Sequence, residues 1–322
     1  MADVAALAGV SGQTVSRVAN NSPRVDPETR LRVEQAMAEL GYRPHQAARA
    51  LRTGRTHTIG LVLSTLATVG NSRMLQATVE AAEARGFAVV VVTAEGAEGV
   101  AHAFERLRER DVDAAIVVNE ASEFALASHT PAGLPIVLID AAAARQQLAA
   151  VSSDHAGGAR AAVQHLLQQG HTRIAHLAGP EGSFAALERE RGWREALLAA
   201  GVEPAAVARG DWTAESGFAL AGAFAEASAI FCANDQMALG AIRALSDAGR
   251  RVPEDVSVVG FDDVPEAANY RPPLTTVRQD FAGLAEQALT VLQQLVSGQT
   301  ISPVVPVPTP LVVRDSVRPP IR

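Results

Sequence analysis

The sequence contains a single cysteine, few aromatic residues and no long apolar run. Cys232 alone cannot form an internal disulfide, and its apolar neighbours favour packing in a strand over a reactive thiol. No apolar stretch approaches the roughly 18–20 residues that span a membrane, and no secretion leader opens the chain. These absences predict a protein of the cytoplasm without a membrane partner.

The sequence motifs of common enzymes are missing as well. There is no phosphate-binding Gly-x-x-x-x-Gly-Lys run, no Gly-x-Ser-x-Gly turn around a nucleophilic serine, and no dinucleotide fingerprint after the first predicted strand. His171 and His176 lack the spacing of metal ligands. We therefore predict that the chain is not an enzyme and that it binds no metal and no other cofactor.

The charge of the chain is divided unevenly along its length. Residues 1–57 hold eight arginines and five acidic residues, a net charge of +3, whereas the whole chain carries −7 and the remainder therefore −10. A basic segment is attracted to phosphates and an acidic one is repelled by them. The chain has 322 residues, more than the roughly 250–300 at which a single core usually splits. We expect several domains, with nucleic-acid contact at the first.

Residues 1–21 predict two short helices joined by a tight turn. Gly9 permits a sharp reversal of the backbone, and Ser11 is a favourable N-cap for the second helix. At about 100° per residue, Val15 faces the first helix while Gln13 and Arg17 face away from it. Glutamine can pair with the edge of adenine, and arginine with that of guanine. A DNA-reading helix-turn-helix and a plain helical hairpin are both consistent with this pattern alone.

A third helix and a polar linker follow. Asp26 is a suitable N-cap for a helix with an apolar stripe that runs from Val33 to Leu40. Residues 45–56 hold three arginines and one bulky apolar residue, Leu51, and this segment is too short and too polar to form a helix alone. Two copies could pair, each inserting Leu51 into the minor groove of DNA. An ordinary interdomain linker is the alternative.

Together these segments resemble the LacI/GalR family of bacterial transcription regulators. The likeness is carried by residues 3–20, 42–44, 48–56, 177–180, 210–212, 233–240 and 272–281. It implies a homodimer whose heads bind a palindromic double-stranded DNA operator, and the chain ends without the apolar heptads of a tetramerising tail. The residues expected to contact DNA are Gly12, Gln13, Thr14, Ser16, Arg17, Asn20, Arg49 and Leu51.

Beyond residue 57, short apolar runs alternate with amphipathic helical stretches. Strands are predicted at residues 59–63, 88–92, 114–118, 136–139, 174–178, 229–233 and 256–261. This alternation is typical of parallel sheets covered by helices on both faces, here two doubly wound α/β lobes. The resemblance implies a core like that of type I periplasmic binding proteins, in which strands cross between lobes.

The expected domain organisation has three parts. They are a helix-turn-helix head at 1–43, a hinge helix and linker at 44–57, and an effector-binding and dimerisation core at 58–322. Within the core, lobe one is expected at about 58–148 plus 278–313, and lobe two at about 149–277.

Polar residues directly follow several predicted strands, where open α/β sheets bind ligands. A sugar site needs such carboxylates and amides, together with an aromatic face and often the fork of an arginine. Helix capping, core packing and surface ion pairs are the alternative roles. By resemblance, the effector-site residues are Arg189, Asn234, Asp262, Asp140, Trp212 and Gln279, with Asn119 and Ser64 as further candidates from lobe one.

The sequence therefore predicts a sequence-specific DNA-binding transcriptional regulator, acting at the nucleoid in the cytoplasm. A repressor released from its operator by a galactoside-like sugar is favoured. A co-repressor mode, or a non-sugar effector such as a purine, stays open. A solute-binding protein of a transporter shares the two-lobed plan, but it would need an export signal and no DNA-reading head.

Overall fold

The computed structural model describes residues 1–19, 22–42, 54–141, 148–299, 301 and 305–320. The chain divides into two compact units, Met1–His57 and Thr58–Arg322. The first unit contains helices α1 (Ala2–Ala8), α2 (Gly12–Ala19) and α3 (Pro27–Glu39). Within the described ranges, no helix is long and apolar enough to cross a membrane.

The ends of these helices have local causes. Gly9 ends α1 in the left-handed conformation, with φ at 64°, where a side chain would add strain. The Ser11 hydroxyl oxygen accepts a hydrogen bond from the Thr14 amide at 3.1 Å. The Asp26 carboxylate accepts one from the Thr29 amide at 2.9 Å. Both predicted caps are confirmed.

The three helices share one small core. It consists of Val4, Ala5, Ala8, Val15, Val18, Val33 and Ala36. Leu40 is not part of it, because α3 ends at Glu39 and the Leu40 side chain is 46% exposed. The apolar stripe predicted on α3 is therefore shorter than expected.

A parallel five-stranded sheet forms the centre of the first lobe of the second unit. Its strands are β1 (Thr58–Leu63), β2 (Ala88–Thr93), β3 (Ala114–Val118), β4 (Ile136–Ile139) and β5 (Ala149–Val151). Helices α4 (Val69–Ala84), α5 (Gly96–Arg108) and α6 (Glu120–Ala127) follow the first three. The strand order is β2-β1-β3-β4-β5. Burial of β3 and β4 along their whole length explains their continuous apolar runs.

The second lobe has a six-stranded sheet. Its strands are β6 (Ile174–Ala178), β7 (Val207–Arg209), β8 (Ala229–Cys232), β9 (Ser257–Asp262), β10 (Thr275–Arg278) and β11 (Leu311–Val312). Its α-helices are α7 (His155–Gln168), α8 (Phe184–Ala199), α9 (Ala214–Leu220) and α10 (Asp235–Asp247). The strand order is β11-β10-β9-β8-β6-β7, and only the β10–β11 pair is antiparallel among these strands.

The chain crosses between the lobes, as the resemblance implied. After β5 it enters the second lobe at α7, and after β10 it returns as α11 (Phe281–Val296), which packs in the core of the first lobe. The expected lobe boundaries are wrong in two places: residues 149–151 pair with β4, and residues 311–312 pair with β10. Both segments are short strands that complete a sheet edge, so neither has the long apolar run of a central strand.

The second lobe buries a histidine in its core. The ring of His176 on β6 stacks between Trp193 and Phe231, with centroid distances of 5.4 and 5.0 Å. Its Nδ1 donates to the Phe231 carbonyl at 2.9 Å, which leaves Nε2 unprotonated and, within the described structure, without a hydrogen-bond partner. Burial lowers the pKa of His176 from 6.5 to about 4, so the native state resists protonation.

Acidification should therefore destabilise the wild-type protein more than a His176→Asn variant. Unfolding releases the ring to its ordinary pKa, so the His176 contribution falls as the pH drops from about 6.5 towards 4, by about 2 kcal/mol at pH 5. The asparagine amide can still donate to Phe231 but does not titrate. Urea unfolding at pH 7.5 and pH 5 measures the difference, and equal losses of stability in the two proteins would contradict it.

Candidate functional site

A cleft lies between the two lobes, beside the carboxyl ends of their parallel strands, where open α/β folds bind ligands. Its volume is about 500 Å³ when the open, solvent-filled mouth is included. The first lobe contributes Asn71, Met74, Asn119, Glu120 and Asp140 to its lining, the second Ser183, Ala185, Arg189, Trp212, Asn234 and Asp262, and the segment after β10 Gln279, Phe281 and Leu284. A molecule in the cleft would contact both lobes.

Arg189 on α8 is the buried cation of the cleft, with only 3% of its surface exposed. Its Nη1 donates to the Ala233 carbonyl and lies 3.5 Å from the Asp262 carboxylate, and its Nε donates to His155 Nδ1 at 3.3 Å. The guanidinium carbon lies 3.8 Å from the centre of the Phe261 ring. Burial lowers the pKa of Arg189 and the nearby carboxylates oppose this shift. Since arginine stays protonated in proteins, the cleft holds a fixed positive charge.

Asp262 ends β9 and pairs with that cation. Its backbone φ is 114°, and only 5% of its surface is exposed. The carboxylate accepts a hydrogen bond from Gln279 Nε2 at 2.7 Å. Burial raises the pKa of Asp262, whereas Arg189 and Gln279 lower it. These two partners hold an acceptor at the end of the strand.

Trp212 and Asn234 also line the cleft from the second lobe. Asn234 caps α10, because its Oδ1 accepts a hydrogen bond from the Met237 amide at 2.9 Å. Its Nδ2 donates to the Trp212 carbonyl at 3.0 Å. Asn234 therefore has the ordinary helix-capping role and also supports the one tryptophan of the cleft.

The first lobe places a polar network at the ends of β1 and β3. Asn119, with φ at 53°, donates from Nδ2 to Asn71 Oδ1 at 2.5 Å. Ser64 donates to Glu120 Oε2 at 3.4 Å, but Ser64 does not line the cleft itself. Ser64 therefore reaches the site only indirectly, through Glu120 and Asn71.

Asp140 follows β4 and faces the start of α7. Its Oδ1 accepts a hydrogen bond from the Ser153 amide at 3.1 Å. The same oxygen lies 3.0 Å from His155 Nε2, at ion-pair distance but without the direction of a hydrogen bond. Asp140 and His155 thus connect the end of the first sheet to the first crossover.

The lining favours an uncharged polyol over an anion. Three carboxylates, from Glu120, Asp140 and Asp262, accompany one cation, Arg189, among the described lining residues. Carboxylates and amides pair with hydroxyl groups, whereas a phosphate would require more cations. Within the described residues no group of three or more His, Cys, Asp or Glu side chains could hold a metal ion.

Seven of the eight effector-site residues expected from the sequence line this cleft, and Ser64 is the exception. Sequence reasoning missed Asn71 and Glu120. A signal for Glu120 was available, because it directly follows Asn119 at the end of β3. Asn71 lies in the first turn of α4 and is buried, which its sequence neighbours do not indicate.

The polar face of α2 is a separate candidate interface. Gly12, Gln13 and Arg17 are exposed, while Thr14 and Ser16 are partly buried. The three remaining DNA-contact candidates, Asn20, Arg49 and Leu51, lie outside the described residues.

Known proteins match both parts of the chain. Residues 1–45 match the family model described as bacterial regulatory proteins, lacI family, and residues 163–317 match a periplasmic binding protein-like domain. The HTH-type transcriptional regulator CelR of Thermobifida fusca is 40% identical over 97% of this chain and 96% of its own length. The lactose operon repressor of Escherichia coli K12 is 38% identical over 93% of this chain and 85% of its own.

Solved structures of transcriptional regulators are also similar to this chain. The Lac repressor dimer bound to operator and the anti-inducer ONPF has a TM-score of 0.88 at 37% identity, with 98% of both chains covered. A complex of the transcriptional regulator CelR with cellobiose has a TM-score of 0.74 at 37% identity, again over 98% of both chains. The relatives are transcriptional regulators rather than enzymes. The chain therefore belongs to the lacI family of bacterial regulatory proteins.

Proposed function

We propose that the protein is a DNA-binding transcriptional repressor that an uncharged disaccharide releases from its operator, and that it acts on DNA in the cytoplasm. The observation that carries the effector assignment is the cleft. In the cleft, the fixed cation of Arg189 and hydrogen-bond acceptors from both lobes lie beside the Trp212 ring, which forms one wall. This combination suits a sugar, whose hydroxyls need hydrogen-bond partners and whose C–H face needs an aromatic surface.

The effector is proposed to be a β-linked disaccharide. One relative is named for the lactose operon and another was solved with cellobiose. Lactose and cellobiose share a β-1,4 linkage and differ in the configuration of one hydroxyl group. A galactoside was favoured from the sequence motifs, and the cellobiose complex makes a glucoside an equal candidate.

The switch is proposed to act through a dimer. A dimer would present two copies of α2 to successive major grooves of a palindromic site, with the hinge at 44–57 between head and core. Leu51, Arg49 and Asn20 keep their proposed DNA contacts. A sugar that contacts both lobes favours one lobe angle over another, and the difference appears as altered DNA affinity, with couplings of ~1–3 kcal/mol.

A co-repressor mode would use the same residues, but the sugar would strengthen operator binding instead of weakening it. A relative was solved on its operator with a ligand named an anti-inducer, a term that presupposes an inducer for that relative. Release by sugar is therefore the proposed direction.

Thermal unfolding with and without sugars tests the effector assignment. Cellobiose or lactose should raise the melting temperature by several degrees at saturating concentration, because a ligand that binds only the folded state stabilises it. Glucose 6-phosphate should not. Asp262→Asn should remove the shift, while Asp263→Asn should retain it, because Asp263 instead pairs with Arg278 and Arg314. A shift with the phosphate alone would contradict an uncharged effector.

A further inference from the structure

Trp212 is fixed on the second lobe. Its backbone is left-handed, with φ at 74°, and its carbonyl accepts the hydrogen bond from Asn234. Its ring lies so close to Gly179 that a Cβ added there would come within 2.3 Å of a ring carbon. The Arg189 guanidinium carbon lies 5.5 Å from the ring centre. The backbone conformation of Trp212, the contact of its ring with Gly179 and the neighbouring Arg189 therefore hold this side chain against the second lobe.

The indole N–H of Trp212 nevertheless points to the other lobe. Its Nε1 donates to Glu120 Oε1 at 3.0 Å. Glu120 is the first residue of α6 and belongs to the first lobe. The contact is charge-assisted, so it is stronger than a hydrogen bond between neutral groups. One hydrogen bond thus joins the aromatic wall to the opposite side of the cleft.

The carboxylate of Glu120 also accepts a hydrogen bond from its own lobe. Its second carboxylate oxygen, Oε2, accepts the long hydrogen bond from Ser64. Ser64 in turn accepts from Asn71 Nδ2 at 3.5 Å, and Asn71 is 1% exposed. Asn119 donates to the same asparagine. The carboxylate is therefore oriented by a chain of hydrogen bonds through Ser64, which follows β1, and Asn71 in α4.

We propose that Glu120 is a positioning residue of the effector site, which rests on the function proposed above. It acts through Trp212: the hydrogen bond sets the position of the aromatic wall relative to the first lobe. A sugar stacked on that wall is thereby placed against acceptors of both lobes. Without the acceptor at Glu120, Trp212 stays on the second lobe but loses its alignment with the first.

Fluorescence of the full-length protein tests this without any sugar. The chain has two tryptophans, and Trp193 is fully buried, so acrylamide quenching reports mainly on Trp212. A Trp212→Phe variant gives the contribution of Trp193. Glu120→Ala should raise the quenching constant of Trp212 at least about twofold, because water replaces the carboxylate at Nε1. Glu120→Gln should leave it unchanged, because its amide oxygen still accepts.

Calorimetric titration with cellobiose supplies the second readout. Glu120→Ala should weaken binding about tenfold, and Glu120→Gln should stay within about twofold of wild type. Equal quenching in wild type and Glu120→Ala would overturn the proposal, as would a Glu120→Gln variant that behaves like alanine in both assays. Absence of cellobiose binding in wild type would count against the proposed effector alone, since the quenching result does not depend on it.

Discussion

Replacing Arg189 with alanine should weaken sugar binding at least about a hundredfold. Arg189 is the single cation among the described lining residues, and its position is fixed by the Ala233 carbonyl, Asp262 and the Phe261 ring. Nε and Nη1 already donate within the protein, so the prearranged guanidinium offers its remaining N–H donors to hydroxyls without the entropy cost of ordering a free side chain. Its loss removes those donors and leaves Asp262 without its buried counter-charge.

Stability has to be separated from binding in this experiment. Removing one partner of a buried ion pair costs ~3–5 kcal/mol, so Arg189→Ala should also unfold at lower urea concentration. Its sugar titration is therefore run where the variant is fully folded. Arg189→Lys keeps the positive charge but lacks the forked guanidinium. Compared with Arg189→Ala, it should regain more of the stability than of the sugar affinity.

Arg191→Ala is the matched control for this variant. Arg191 lies on the same helix but pairs with Glu188 and Glu195 at the surface. Exposed pairs of this kind contribute ~0–1 kcal/mol, so sugar affinity should match wild type. Equal losses of affinity in Arg189→Ala and Arg191→Ala would contradict a ligand-binding role for Arg189.

Arg17→Ala should relax the choice of operator sequence. Arg17 and Gln13 are exposed on α2, one turn apart. An arginine paired with guanine contributes ~1–3 kcal/mol of discrimination, which corresponds to about 5- to 150-fold between the correct and a wrong base. An operator selected from random DNA, and its single-base variants, would be compared by gel shift at constant salt.

The matched control is Arg24→Ala, which removes the same charge from an exposed position outside α2. Arg24→Ala should lower affinity for all DNA alike or leave it unchanged, because a phosphate contact carries no sequence information. If Arg17→Ala also lowers affinity for every sequence by one factor, Arg17 does not contact a base edge.

Most of the central strands, and the polar residues that follow them, could be predicted from the sequence, but the central strand β10 was not predicted. β3 and β8 are buried continuous apolar runs, β9 is buried and mostly apolar, and their carboxyl ends place Asn119, Asn234 and Asp262 at the cleft. The edge strands β5, β7 and β11 were not predicted, because two or three residues carry too little pattern.

Contacts between the lobes could not be predicted. The hydrogen bond from Trp212 to Glu120 joins residues far apart in sequence, and it exists only because the crossovers set the two sheets against each other. Local patterns indicated a polar strand end at Asn119, the neighbour of Glu120, and an aromatic wall at Trp212. They carried no information on the pairing of the two.

The most direct test of a sugar-switched DNA binder is a fluorescence-anisotropy titration of the selected operator, with and without saturating cellobiose or lactose. One sugar should weaken operator binding by at least about fivefold, in line with couplings of ~1–3 kcal/mol, and Arg189→Ala should bind operator but ignore the sugar. Tighter binding with sugar would reverse the proposed direction. Unchanged operator affinity with a sugar that binds the cleft would contradict the switch itself.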